Sequence, residues 1–166
     1  MKHFKLKWLF LLLPLAFFLS FTDPGSLYEP VLMLRSEMEK AVQLKPAREI
    51  KTPGKIWVQD QYIFVIEKYK GIHLIDNTTP TQPKKIGFIH IDGCTDVAVK
   101  GDIIFANNAV DLIGIKTSPN FQSVSVVSRN RSVLPELESP EGWSNSDFEK
   151  NRPENSVIVR WELYNK

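Results

Sequence analysis

From Lys55 onward the chain alternates short runs of branched and aromatic residues with clusters of Asn, Pro, Gly and Asp. The runs are IWVQ (56–59), YIFVIE (62–67), GIHLID (71–76) and KIGFIHI (85–91). Such residues fit a pleated, partly buried surface, and the punctuation between them supplies turns. The connectors are Asp60-Gln61, Lys68 to Lys70, and a longer one from Asn77 to Pro83. Four strands in 37 residues predict an antiparallel meander.

The same text then recurs as TDVAVK (95–100), DIIFANN (102–108), VDLIGIK (110–116) and QSVSVVSR (122–129). Ile56 and Val58 align with Val97 and Val99, and Ile63-Phe64 with Ile104-Phe105, at an offset of 41. Beyond a one-residue deletion near Asn108, Ile72 and Ile75 align with Leu112 and Ile115 at an offset of 40. Four strands repeated at about 40 residues is the arithmetic of a propeller blade. In KIGFIHI both side-chain registers are largely apolar, as in a sheet covered on both faces. The predicted fold is therefore mainly β. It comprises two blade-like four-stranded antiparallel meanders, partially propeller-like, at about 55–93 and 94–133.

The flanks read differently. Asp23-Pro-Gly-Ser is a linker. Ser36 and Glu39 have capping-box spacing, Met38, Ala41 and Val42 form an apolar stripe, and Pro46 ends it, predicting one short N-terminal helix near 37–44. Residues 134–153 are acidic and turn-rich. VIVRWELY (157–164) then reads as a returning C-terminal strand, with Val157, Val159 and Trp161 on one side. It is expected to pair within the body and to bury Trp161, since an open edge invites aggregation. The division is 1–22 as a targeting segment, 23–54 as linker and helix, and 55–164 as the repeat domain.

Charge changes the picture at the beginning. Lys2, Lys5 and Lys7 precede a nearly unbroken apolar run from Trp8 to Phe21, the pattern of a secretory signal. The run is short for a permanent span. Export to the periplasm or cell envelope is expected, with membrane association through this segment if it stays uncleaved. Without those three lysines the net charge of +2 becomes −1, since 18 basic residues face 19 acidic ones. A near-neutral body speaks against nucleic-acid binding, which needs a basic footprint.

The stretches YEPVLMLRSEMEKAV, PGKIWVQDQYIFVIEKYKGIHLIDNTTPTQP and GCTDVAVKGDIIFANNAVDLIGI resemble the LVIVD-repeat proteins of bacterial cell envelopes. GIHLIDNTTP is similar to the signature repeat, and DLIGIKTSPN to a degenerate copy in which Lys116 replaces the aspartate. The resemblance spans roughly residues 28 to 164. It implies an exported protein with propeller-like β structure and supplies no catalytic residue. This chain departs from the family in having no lipobox cysteine and only two recognisable repeats.

Candidate chemistry is sparse. Cys94 is the single cysteine, which excludes an internal disulfide and a cysteine-built zinc site. His90, Asp92 and Cys94 lie together in HIDGC, but Asp92-Gly93 reads as a turn and Cys94 as a packed thiol rather than a nucleophile. His73 sits among Ile72, Leu74 and Ile75 and reads as a core imidazole. Asp76, before Asn77-Thr78, is placed for an Asx turn. Asp76, Asp96 and Asp111 are weak candidates for a hard-cation rim. Trp57, Tyr62, Tyr69 and Trp143 are candidate contact aromatics. No cofactor is implied. The leading expectation is a non-enzymatic binding or structural module with an envelope protein or polysaccharide as partner, and self-association covering open sheet surface. The alternatives are a polysaccharide hydrolase using Glu67, Asp96 or Asp111, whose carboxylates would have to face each other across a cleft, and a truncated relative of a longer propeller.

Overall fold

A computed structural model describes residues 27–142 and 146–164. The proposed leader and Trp143 lie outside the described residues. The chain begins with β1 (Tyr28–Leu34), α1 (Arg35–Lys40) and β2 (Gln43–Lys45). The first repeat follows as β3 (Pro53–Gln59), β4 (Tyr62–Glu67), β5 (Gly71–Asp76) and β6 (Lys84–His90). The second is β7 (Val97–Lys100), β8 (Ile103–Asn108), β9 (Asp111–Thr117) and β10 (Val124–Asn130). α2 (Ser146–Lys150) and β11 (Ser156–Leu163) close the described chain.

The protein is mainly β, as the alternation predicts, and each repeat folds as its own antiparallel meander. The second sheet has four strands, ordered β10-β9-β8-β7. The first has five, ordered β2-β6-β5-β4-β3, rather than the four expected. The addition is β2, whose Leu44 and Lys45 pair with Ile89 and Phe88.

Register explains how the blades stack. Trp57, Phe64 and Leu74 are cross-strand partners on one face of the first sheet, with Ile66 and Ile72 beside them. On the second sheet Val97, Ala106 and Ile113 share a face with Val99, Ile104 and Ile115. Phe64, Ile66, Ile72 and Leu74 bury against those six residues in one core, together with Ile89, Ile91 and Cys94. The turn between the blades reverses at Gly93, where φ is 74° and an added Cβ would lie 2.6 Å from the Ala109 amide. Only glycine suits both the backbone and the approach.

Several expectations about the flanks are corrected. The capping box does not form: α1 starts two residues earlier than expected, with Leu34 at its N-cap and no side-chain cap bond, which leaves Ser36 inside the first turn. Glu39 instead accepts hydrogen bonds from two of the guanidinium nitrogens of Arg131, Nε and Nη2. Val42 lies beyond the helix, in the link to β2. The returning strand does pair and does bury Trp161, but its partner is β1, an element the linker-and-helix reading missed. Nor do Val157, Val159 and Trp161 share a side. A bulge opposite Val31 and Leu32 shifts the register. Val157 and Val159 therefore pack with Met38, Ala109 and Val110. Trp161 turns with Ile158 toward Leu137 and Phe148, and its indole N–H donates to the Leu137 carbonyl at 2.8 Å.

Candidate functional site

The β3–β4 and β7–β8 turns lie at one end of the stacked blades, with the β9–β10 loop folded over the gap between them. Together they bound a cleft of about 400 Å3. Its floor is apolar: Phe64, Val99 and Ile104, all buried blade residues. Its rim is polar: Gln59, Asp60, Asp102, Lys116, Thr117 and Asn120. Gln59 ties the turns of the two blades together by donating its amide to the Gly101 carbonyl at 3.1 Å. Lys116 lies 3.4 Å from Asp102 on the second blade's side of the mouth, with both side chains more than half exposed.

Phe121 completes the wall. The loop carrying it closes where the Ser123 amide donates to the Ser118 hydroxyl and the Ser118 amide to the Ser123 carbonyl. Asn120 and Phe121 both adopt positive φ, 58° and 54°. For a bulky side chain that backbone is costly, about 1–3 kcal/mol, and it persists only where the surroundings enforce it. Here it turns the Phe121 ring inward, edge to face with Tyr62 at 4.8 Å and with Phe64 at 5.7 Å. An apolar floor, two aromatic walls and a few convergent polar groups make a site for a small polar ring or chain. Of the cleft's aromatics, sequence reasoning singled out only Tyr62. Phe121 was missed because it falls in the connector where the second repeat degenerates, and backbone strain leaves no composition signal.

The other expected contact aromatics do not join it in one patch. Trp57 is 39% exposed on β3, on the Phe64 face. Tyr69 sits in the β4–β5 turn at the opposite end, under the Lys68 ammonium at 4.9 Å.

The three candidate metal ligands are likewise kept apart. Asp76 forms the expected Asx turn, accepting from the Thr78 amide and hydroxyl, and those bonds hold its carboxyl below its ordinary value. Asp96 pairs with Lys55 between the blades. Asp111 is fully buried and accepts from Arg35, from Arg129 and from the Ser132 amide. Among the described residues no group of three His, Cys, Asp or Glu side chains could hold a metal ion.

The nucleophile constellation also comes apart. His90 and Asp92 lie 3.2 Å apart, but Cys94 is buried in the inter-blade core, where desolvation pushes its thiol up to about 12. A thiol so placed is inert at neutral pH. His73 is a fully buried partner of Glu67, at 2.9 Å. Burial alone would raise the Glu67 carboxyl, but the Lys51 and Thr52 amides and His73 bond to it and hold it below its ordinary value. Comparison with known proteins finds no matching family model, curated protein or solved structure.

Proposed function

We propose that the chain is an exported, non-enzymatic binding module of the cell envelope, and that the cleft between its blades takes a saccharide unit of an envelope polysaccharide. The observation that carries this reading is the strained Phe121, whose ring is held against Tyr62 at the mouth of a cleft rimmed by amide and carboxylate groups. A sugar ring has an apolar C–H face and a rim of hydroxyls. Tyr62 and Phe121 suit the first; Gln59, Asp60 and Asn120 suit the second. The leader pattern and the LVIVD-repeat resemblance support the envelope location. The hydrolase reading gains nothing from the geometry, since Glu67, Asp96 and Asp111 are each held by other partners away from the cleft.

Titration of the detergent-solubilised full chain with soluble fragments of envelope polysaccharide, followed by calorimetry, tests the reading. Saturable binding is expected, weakened at least tenfold by Phe121→Ala and by Tyr62→Ala. That corresponds to about 1.4 kcal/mol or more, in the range of a lost aromatic contact. Binding that ignores both substitutions, or no binding to any fragment, would reject the cleft as the site.

A further inference from the structure

Part of each blade's outer face is open, and the internal repeat identifies what fits there. On the outer face of the first sheet lie Ile56, Val58, Ile63 and Ile75, joined by register. Ile56 is 63% exposed and Val58 61%. Their repeat equivalents are Val97, Val99, Ile104 and Ile115, the residues by which the second sheet packs on the first. The outer face of the second sheet carries Ala98, Phe105 and Leu112. Phe105 and Leu112 are the equivalents of Phe64 and Ile72, with which the first sheet packs on the second, yet each is 36% exposed. Each end of the stack therefore presents part of the half-interface that the other end lacks, since Val65 and His73, the equivalents of Ala106 and Ile113, are already buried.

We infer that copies of this chain associate head to tail, the first blade of one stacking on the second blade of the next. The occupant of each open face is a second copy because the two faces continue an interface already formed inside the chain. The chain itself covers the remainder of the first blade's outer face. Arg48 stacks on Phe88 at 4.7 Å, and residues 51 and 52 cross to Glu67. The half around Ile56, Val58 and Ile86 stays open. Contact between two different patches can close into a ring. Propellers hold roughly four to eight blades, so a ring would need about two to four copies of this two-blade chain. The inference is independent of any ligand in the cleft.

Sedimentation of the full chain in mild detergent tests it. Wild type should run as a discrete oligomer, while Val58→Glu and Phe105→Glu, each blocking one face, should run as monomers. Mixing the two variants should restore a one-to-one dimer, because each keeps the face the other has lost. Ala98→Glu, an exposed change on the Phe105 face, stands in if circular dichroism shows Phe105→Glu to be misfolded. A monomeric wild type overturns the inference. Oligomers unchanged by either substitution overturn it too, and so does a mixture that stays monomeric.

Discussion

The Asp111 carboxylate has no solvent contact and lies between two guanidinium groups, Arg35 from α1 at 2.8 Å and Arg129 from β10 at 2.7 Å. Burial alone would raise its pKa, but the bonds from Arg35, Ser132 and Arg129 outweigh burial and hold the group below its ordinary 3.8. Removing one member of such a cluster leaves charge buried without compensation, at about 3–5 kcal/mol. Asp111→Ala should therefore lose about that much stability in urea unfolding, and a loss under about 1 kcal/mol would contradict the picture. Glu67 is depressed in the same way below 4.5. For both groups the folded value is the lower one. Their stabilisation is thus complete above the unfolded values of 3.8 and 4.5 and disappears as pH falls through the folded ones. Urea midpoints should stay level from about pH 7 to 5 and drop below about pH 4. The drop should shrink in Asp111→Ala. Cys94, raised to about 12 by burial, should resist a thiol-specific dye at neutral pH until the fold is denatured. Labelling of the native chain at the rate of a free thiol would show that the inter-blade core opens readily.

Among the elements, β11 is anchored where its register shifts. The bulge aims Trp161 at the segment around Leu137 while Val157 and Val159 stay with Met38. Trp161→Ala should cost about 3–5 kcal/mol through lost burial and a void. Trp161→Phe should cost far less, because the ring stays and only the indole bond, worth about 1 kcal/mol, is lost. Equal losses in the two variants would mean the hydrogen bond, not the ring, holds the strand. These elements also show where sequence reasoning reaches. β4 and β5 are found at the predicted bounds because each is a run of apolar residues between turn formers, and periodicity is a local signal. β1 hid behind Pro30 and an apolar stretch too short to separate from a helix approach. The capping box at Ser36 failed because the extended residue before the helix is Leu34, which has no side-chain acceptor, and Ser36 falls inside the first turn. Arg35 and Asp111 are 76 residues apart, and nothing local in the sequence marks such a pair. Phe121 shares that invisibility. The cleft was legible only as far as Tyr62 and the turns that frame it.

At the scale of the whole molecule, the β1–β11 ribbon binds the two ends of the described chain to one side of the second blade. Met38, Ala109 and Val110 fill the junction, and the Leu134 amide donates to the Val110 carbonyl. Arg35 and Arg131 lace α1 to the same region. The fold thus needs β1 although β1 belongs to neither repeat. Residues 1–22 carry the charge and apolarity expected of a targeting segment, and every residue named in that junction lies beyond them. The two facts together separate two truncations. A chain starting at residue 23 keeps β1, and it should remain soluble and β-rich by circular dichroism with a cooperative melt. A chain starting at residue 36 removes β1 and Arg35 at once. It strips β11 of its backbone partner, uncovers Val157 and Val159, and leaves Asp111 with Arg129 as its one remaining guanidinium partner among those bonded to it. An unpaired edge and an apolar stripe exposed together lead to aggregation. That shorter chain should precipitate or melt at a much lower temperature. If it folded as stably as the longer one, the ribbon would be an appendage and the two blades would stand alone. If the longer one failed to fold, residues 1–22 would belong to the core rather than to targeting.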